Sequence, residues 1–270
     1  MQLTEEFEWR GRRVRWRRAG TGPGVVLCHG TPWSSRLWAP IADALSEEFT
    51  VHLWDMPGYG ESSKLPEHRV SLDVQGELLA DLVSHWGLES PHVLAHDYGG
   101  AVALRAHLLH GCPFASLALV DVVALSPWGS EFFRLVRENS PVFSALPPEI
   151  HAGALRAYVA GASHLGLVPR QLDELVSPWL DGEGQAAFYR QIAQADEAYT
   201  DEIQGLYPRL DLPVLVVWGT EDTWIPVDRA HRLVGMIPGA RLELIGGAGH
   251  LVHYDQPARL ATALHRWLVS

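Results

Sequence analysis

An acidic side chain stands at the tip of a predicted strand–turn–helix unit at residues 91–110. The apolar run at 93–95 predicts the strand, a sharp turn follows at Asp97, and an Ala- and Leu-rich segment predicts the helix. A carboxylate is ionised at pH 7 and needs no base to activate it, so it suits attack on a saturated carbon. The alternative is that Asp97 only caps the helix, because Asp is a preferred N-cap residue.

Two further polar residues follow predicted buried strands in the same way. Asp222 comes shortly after the apolar run at 214–218, and His250 comes shortly after the run at 241–245. Sites in parallel sheets assemble at the carboxyl ends of the strands, so we expect both side chains near Asp97. The order carboxylate, acid, histidine is that of a nucleophile, an orienting acid and a general base.

Each of these assignments has an alternative within the sequence. Asp121 directly follows another predicted strand and is the fallback acid. Asp222 is also placed to cap a helix near Pro226. His253 lies close to His250 and is its rival for the role of the base.

The elements that must position these residues alternate between strands and helices. Short apolar runs predict the strands, and segments with helical spacing separate them. The predicted strand runs are 25–28, 49–54, 93–95, 117–120, 214–217 and 241–245. Such runs imply an α/β fold with a mostly parallel central sheet that is flanked by helices on both faces.

Residues 122–212 have no strand character and are too numerous for a bare loop. Helical spacing recurs there in four places, at 131–138, 149–160, 170–180 and 185–203. We therefore predict a helical cap inserted into a core that is formed by residues 1–121 and 213–270. Residues 122–212 are called the cap segment below.

Composition excludes several classes of function. Hydrophobic residues make up 47% of the chain and charged residues 20%, which is typical of a globular protein. The formal net charge of -11 argues against nucleic acid or an anionic membrane as a partner. No apolar run suits a signal peptide or a membrane span, and Cys28 and Cys112 lie in apolar surroundings, as reduced core thiols do. We expect a cytoplasmic protein whose partners are a small molecule and water.

Four motifs, in the right order, give nearly the whole chain a resemblance to the α/β-hydrolase superfamily. Residues 95–99 match its nucleophile elbow, 29–32 (HGTP) match an HG-x-P oxyanion loop, and 55–63 (DMPGYGESS) resemble a D-x-x-G-x-G-x-S loop. The fourth motif is the order of Asp97, Asp222 and His250 along the chain. Most relatives place Ser at the centre of the elbow. A chain with Asp there resembles the branch of epoxide hydrolases and haloalkane dehalogenases. Within that branch, residues 34–38 resemble the dehalogenases.

The resemblance implies a two-step hydrolysis that needs no metal or organic cofactor. Asp97 would attack an electrophilic carbon and form an alkyl ester, and His250, oriented by Asp222, would then activate water against that ester. The oxyanion of the second step needs preorganised donors, for which the backbone N–H groups of Thr31 and Tyr98 are the expected pair.

One departure from the resemblance concerns the leaving group of a haloalkane. Dehalogenases resemble one another in holding the halide with an indole beside the nucleophile and with an Asn or Trp elsewhere. This chain has Tyr98 and Thr31 at the matching positions, so a halide would depend on the Tyr98 hydroxyl, Trp33 or Trp128. We expect Trp33, Trp128 and His29 at the substrate pocket. The uncharged residues 98–101 argue against a small anionic haloacid.

Epoxide hydrolases resemble one another in placing cap tyrosines over the nucleophile, where they protonate the ring oxygen. In this chain Tyr189 lies in a Phe-Tyr-Arg stretch similar to theirs and is the first choice, and Tyr158 is the second. An amphipathic core tyrosine is the alternative for both. The sequence therefore favours hydrolysis of a neutral, largely apolar epoxide to a diol, and haloalkane dehalogenation is the alternative.

Two readings from other classes remain open at this point. The departures beside Asp97 also suit a small-molecule sensor on a hydrolase scaffold. A biosynthetic enzyme that uses Asp97 as a base in a non-hydrolytic reaction is the other.

Overall fold

The computed structural model describes residues 2–270, which form an eight-stranded sheet. The strands are β1 (Glu5–Trp9), β2 (Arg12–Ala19), β3 (Gly24–Cys28), β4 (Thr50–Trp54), β5 (His92–His96), β6 (Ser116–Val120), β7 (Val214–Gly219) and β8 (Arg241–Ile245). Their spatial order is β1-β2-β4-β3-β5-β6-β7-β8. β2 pairs antiparallel with β1 and β4, and all other pairs are parallel.

The predicted α/β class with a mostly parallel sheet is confirmed. Every residue of β6 and β7 is buried, because helices cover both faces of the sheet. A strand in that position needs apolar side chains at consecutive positions. This explains why the parallel strands could be located from short apolar runs without alternation.

Twelve helices accompany the sheet in the described chain. They are α1 (Ala39–Leu45), α2 (Leu72–His85), α3 (Tyr98–His110), α4 (Glu131–Glu138), α5 (Ser140–Ser144), α6 (Pro148–Ala160), α7 (Pro169–Val176), α8 (Gly182–Ala193), α9 (Ala198–Gln204), α10 (Asp228–Met236), α11 (Val252–Asp255) and α12 (Pro257–Leu268). Three short 3-10 helices lie at Ser35–Trp38, Ser177–Trp179 and Tyr207–Arg209. No helix within residues 2–270 is long and apolar enough to cross a membrane.

The cap segment contains six helices, α4–α9, between β6 and β7. The single helix predicted at 185–203 is wrong, because α8 ends at Ala193 and α9 begins at Ala198. Asp196 explains the break, since its Oδ1 accepts the N–H of Ala198 at 2.9 Å at the start of the new helix. Helix α5 was not predicted.

Candidate active site

Asp97 occupies a strained turn between β5 and α3. Its backbone has φ 50° and ψ -122°, although an ordinary N-cap residue is extended and non-glycine residues avoid positive φ. The turn also requires close packing. A Cβ atom on Gly30 would lie 2.3 Å from the Cβ of Asp97, and one on Gly99 would lie 2.5 Å from the carbonyl oxygen of Cys28. Helix capping alone therefore does not account for this conformation.

The two oxygens of the Asp97 carboxylate have different surroundings. Oδ1 accepts two backbone N–H groups, from Thr31 at 2.8 Å and from Tyr98. Oδ2 lies 3.1 Å from Nε2 of His250. The two predicted oxyanion donors therefore converge on one oxygen, and the other oxygen faces the histidine.

Asp222 holds the opposite side of the His250 ring. Its Oδ2 lies 2.9 Å from Nδ1 of His250. Its Oδ1 accepts the backbone N–H groups of Trp224 at 2.8 Å and Ile225 at 2.9 Å. These bonds fix the carboxylate, and the carboxylate in turn fixes the orientation of the ring.

The charge of His250 depends on its two carboxylate neighbours. Burial alone lowers the pKa of this imidazole, but the charges and hydrogen bonds of Asp222 and Asp97 outweigh burial and raise that pKa well above its usual value. The free site therefore favours an imidazolium between two carboxylates. Loss of the charge on Asp97 removes part of the cause, so the pKa falls.

Asp121, the fallback acid, is not paired with His250. Its Oδ1 accepts the N–H of Gly219 at 2.8 Å, and its Oδ2 has no hydrogen-bond partner among residues 2–270. Burial, and next the charge of Asp222, raise the pKa of Asp121 well above its usual value. Without a hydrogen bond to His250, Asp121 does not orient this imidazole as Asp222 does.

The neighbouring histidines have structural contacts. Nδ1 of His29 donates to the carbonyl of Gly30 at 2.8 Å, and its Nε2 accepts the N–H of Met56 at 3.0 Å. Nε2 of His96 donates to the backbone carbonyl of His250 at 2.9 Å. His253, the rival base, is 5% exposed, and neither of its ring nitrogens has a partner within the described chain. None of these three rings contacts the Asp97 carboxylate through a hydrogen bond in residues 2–270.

A mostly apolar cavity lies beside Asp97 and below the cap segment. Its walls are Thr31, Asp97, Tyr98, Val123, Trp128, Gly129, Ser130, Phe133, Tyr158, Trp224 and Ile225. It leaves about 20 Å³ for the centre of a water molecule, which is room for a single water.

The cavity includes only part of the predicted pocket. Trp128 and Tyr158 line it, whereas His29 and Trp33 do not. Trp33 is buried and stacks on the wall residue Trp224, with ring centroids 5.7 Å apart.

Trp224 is a wall residue that sequence reasoning missed. Its ring stacks on His250, with centroids 5.1 Å apart, and on Tyr158, with centroids 4.3 Å apart. The available signal was its position two residues after Asp222, in the loop that had to reach His250.

Tyr189, the first choice for the cap tyrosine, does not line the cavity. Its side chain is fully buried within the cap segment, and its hydroxyl donates to Nδ1 of His151 at 2.9 Å. Nε2 of His151 donates to the carbonyl of Trp179, so Nδ1 is free to accept this proton. The structure therefore assigns Tyr189 to the interior of the cap, which corrects the prediction.

Donors for a leaving group are few in this cavity. The indole N–H of Trp128 donates to Oγ1 of Thr200 at 2.9 Å, so it is already committed. The hydroxyl of Tyr98 is buried and has no partner within residues 2–270. Burial raises the pKa of Tyr98 and of Tyr158, so both phenols keep their protons at neutral pH.

Relatives of this chain have more than one activity. A fluoroacetate dehalogenase of a Burkholderia species is 32% identical over 60% of this chain and 59% of its own length. Epoxide hydrolase A of Mycobacterium tuberculosis is 27% identical over 96% of this chain and 95% of its own length.

Other matches establish the fold and the family. An uncharacterised protein of Mycobacterium tuberculosis is 30% identical over 96% of this chain and 79% of its own length. The crystal structure of an alpha/beta hydrolase fold protein from Burkholderia ambifaria superposes with a TM-score of 0.95 at 40% identity, over 98% of this chain and 97% of that chain. The sequence profile of the Alpha/beta hydrolase family matches residues 25–263. This chain therefore belongs to the alpha/beta hydrolase family.

Proposed function

We propose that this hydrolase opens epoxides to diols through an ester on Asp97. The observation that carries the proposal is that two tyrosines, Tyr98 and Tyr158, line the same cavity as the Asp97 carboxylate. An epoxide oxygen leaves as an alkoxide and needs a proton donor, which a protonated phenol supplies. A halide leaves as a stable anion and needs only a hydrogen bond.

In the first step, Oδ2 of Asp97 forms a bond to one ring carbon while the bond from that carbon to the ring oxygen breaks. The ring oxygen takes a proton from a tyrosine hydroxyl of the cavity, Tyr98 or Tyr158, and the Tyr98 hydroxyl has no other partner in residues 2–270. Oδ1 keeps its two backbone N–H donors and becomes the ester carbonyl oxygen.

In the second step, the loss of charge on Asp97 lowers the pKa of His250, so the ring gives up its proton to solvent. The neutral ring then takes a proton from water, and the resulting hydroxide attacks Cγ of Asp97. Negative charge develops on Oδ1, where the N–H groups of Thr31 and Tyr98 already point. The bond between Cγ and Oδ2 then breaks, and the diol leaves with the proton from His250. The proton on the new carboxyl group returns to the tyrosine, and His250 takes a proton back from solvent once Asp97 is charged again, which balances the cycle.

Haloalkane dehalogenation is the second candidate, and the unpartnered Tyr98 hydroxyl supports it as a halide donor. The commitment of the Trp128 indole to Thr200 weighs against it, because this indole N–H is then unavailable to a halide. A haloacid such as fluoroacetate is less suited still, since neither Arg nor Lys occurs among the wall residues of the cavity.

Intact-protein mass spectrometry of His250→Ala tests the proposal. This variant still forms the ester but lacks the base that hydrolyses it. Incubation with styrene oxide should add the mass of the whole epoxide, and the gain should disappear when Asp97→Asn is added. A gain from 1-bromohexane alone, equal to the alkyl group without bromide, would instead establish the dehalogenase. No gain with either compound would favour a sensor or a non-hydrolytic enzyme.

A further inference from the structure

A buried glutamine of the cap segment contacts the loop that carries Thr31. Gln191 lies on α8 and is 2% exposed. Its Oε1 accepts two hydroxyl protons, from Oγ1 of Thr31 at 2.8 Å and from the Tyr59 hydroxyl at 2.9 Å. One amide oxygen thus joins α8 to the loop after β3 and to the loop after β4.

A second bond connects the cap segment to the same loop. The indole N–H of Trp179 donates to the carbonyl oxygen of Pro32 at 2.9 Å. Thr31 and Pro32, which are consecutive residues, are therefore both held by side chains of the cap segment. Thr31, Pro32, Trp179 and Gln191 are all buried, so water does not compete for these hydrogen bonds.

The loop matters because of what the backbone of Thr31 does. Its N–H lies 2.8 Å from Oδ1 of Asp97, the oxygen that carries negative charge during ester hydrolysis under the proposed function. The direction of this N–H depends on the peptide plane at Thr31. The hydrogen bond from the Thr31 hydroxyl to Gln191 restrains the side chain of Thr31 and, through it, that plane.

We propose that Gln191 is a positioning residue of the oxyanion hole, and that docking of the cap segment completes this hole. The inference rests on the proposed function, because it concerns the same alkyl-Asp97 ester. It couples two events. The first is the docking of α8 against the loop after β3, and the second is the placement of the Thr31 donor for ester hydrolysis.

The two chemical steps place different demands on this donor. During ester formation, Oδ1 changes from a carboxylate oxygen to a carbonyl oxygen and loses negative charge. During ester hydrolysis, Oδ1 becomes an oxyanion and gains charge, so a well-aimed N–H stabilises that transition state most. Loss of the Gln191 restraint should therefore slow hydrolysis much more than formation.

The decisive variant is Gln191→Leu, which removes the acceptor and keeps the approximate size of the side chain. Tyr59→Phe is the matched control, because it removes a buried hydrogen bond to the same Oε1 but leaves the bond to Thr31 intact. Gln191→Leu loses two buried hydrogen bonds and Tyr59→Phe loses one of the same two. A rate change that came only from lost stability would therefore appear in both variants.

Single-turnover rapid quench with styrene oxide, followed by mass spectrometry of the full chain, separates the two rates. We expect Gln191→Leu to form the ester within about threefold of the wild-type rate and to hydrolyse it about 10- to 100-fold more slowly. Tyr59→Phe should hydrolyse the ester within about threefold of wild type. Thr31→Val should slow hydrolysis as Gln191→Leu does, and the double variant should be no slower than the worse single one.

The outcomes separate this inference from the proposed function. Equal slowing of both steps in Gln191→Leu, or equal slowing of hydrolysis in Tyr59→Phe, would overturn the positioning role while leaving the epoxide hydrolase in place. An ester that forms only from 1-bromohexane would overturn the epoxide assignment, and the same comparison of rates would then be made on that ester. Absence of an ester from both compounds would overturn both proposals together.

Discussion

Nδ1 of His250 lies 2.9 Å from Oδ2 of Asp222, and both side chains are closed to solvent. Asp222 uses its other oxygen to accept two backbone N–H groups, and these bonds keep the carboxylate oriented toward the imidazole. After esterification of Asp97, this carboxylate is the remaining anion that raises the pKa of His250. The pair therefore controls the pH at which the base becomes available.

Replacement of Asp222 by Asn should shift the pH profile of ester hydrolysis to lower pH. Hydrolysis needs neutral His250, so its rate rises with pH through the pKa of this residue in the ester. Asp222 raises that pKa, and its removal lowers it, which moves the ascending limb toward acid. The plateau rate should fall by about 10²- to 10⁴-fold, because the orienting carboxylate and its effect on the base are lost.

Single-turnover rates between pH 5 and pH 9 measure this shift. Formation of the ester serves as the internal control, since Asp97 attacks without a base and its rate should change little. A limb that stays in place in Asp222→Asn would mean that another group sets the pKa of the base.

Tyrosine-to-phenylalanine variants distinguish the two tyrosines that line the cavity from Tyr189, which does not. Tyr98→Phe and Tyr158→Phe should each slow ester formation from an epoxide, by about 10²-fold or more for the true donor, because the alkoxide then leaves without its proton. Tyr189→Phe should leave that rate within about threefold. It should instead lower the free energy of unfolding by about 1–3 kcal/mol, since Nδ1 of His151 loses its buried donor.

Urea unfolding and single-turnover kinetics on the same three variants make the comparison complete. A rate loss in Tyr189→Phe without a change in stability would contradict the contacts seen in the cap segment.

Asp121→Asn should stabilise the protein, and the gain should grow with pH. The folded chain keeps the proton on Asp121, whose pKa is raised, whereas the unfolded chain releases it above a pKa of about 3.9. The unfolded state thus binds fewer protons, so the free energy of unfolding falls by about 1.4 kcal/mol per pH unit above that value, until the folded pKa is passed. Asn has no proton to lose and escapes this penalty.

Urea unfolding at pH 5 and pH 7 gives the difference between Asp121→Asn and wild type at each pH. Asp43→Asn, at an exposed carboxylate, controls for the loss of one charge. A difference that is the same at both pH values would mean that Asp121 ionises normally in the folded protein.

The sheet and the polar residues at the strand ends could be predicted because their signals are local. Strands buried on both faces need consecutive apolar residues, and the loops that follow carry Asp97, Asp222 and His250 to one edge of the sheet. The tight turn at Asp97 was indicated by small residues two positions away on each side, Ala95 and Gly99.

The cap segment was less predictable because packing over long sequence distances decides which way its side chains point. Tyr189 points to His151, 38 residues away, and no local pattern indicates this pairing. Trp224 lies in a loop, and its stacking on His250 and Tyr158, which are distant in the sequence, holds it at the cavity. The bond between Gln191 and Thr31 spans 160 residues, so spacing in the sequence carried no sign of it.

His253→Phe should raise stability in mild acid and leave turnover near that of wild type. The ring of His253 packs edge-on against Trp38, with centroids 4.3 Å apart, and both of its nitrogens lack partners in the described chain. Burial, and next the charges of His96 and His250, lower its pKa well below the usual value. Below pH 6.5 the unfolded chain takes up a proton here that the folded chain does not, so the free energy of unfolding falls as the pH falls. Phe removes this loss and fills the same space, so the stability advantage measured by urea unfolding should be larger at pH 5 than at pH 7.

His250→Ala is the control for this prediction, because it should abolish turnover without the pH-dependent gain in stability. Loss of turnover in His253→Phe at pH 7 would reverse the assignment of the base.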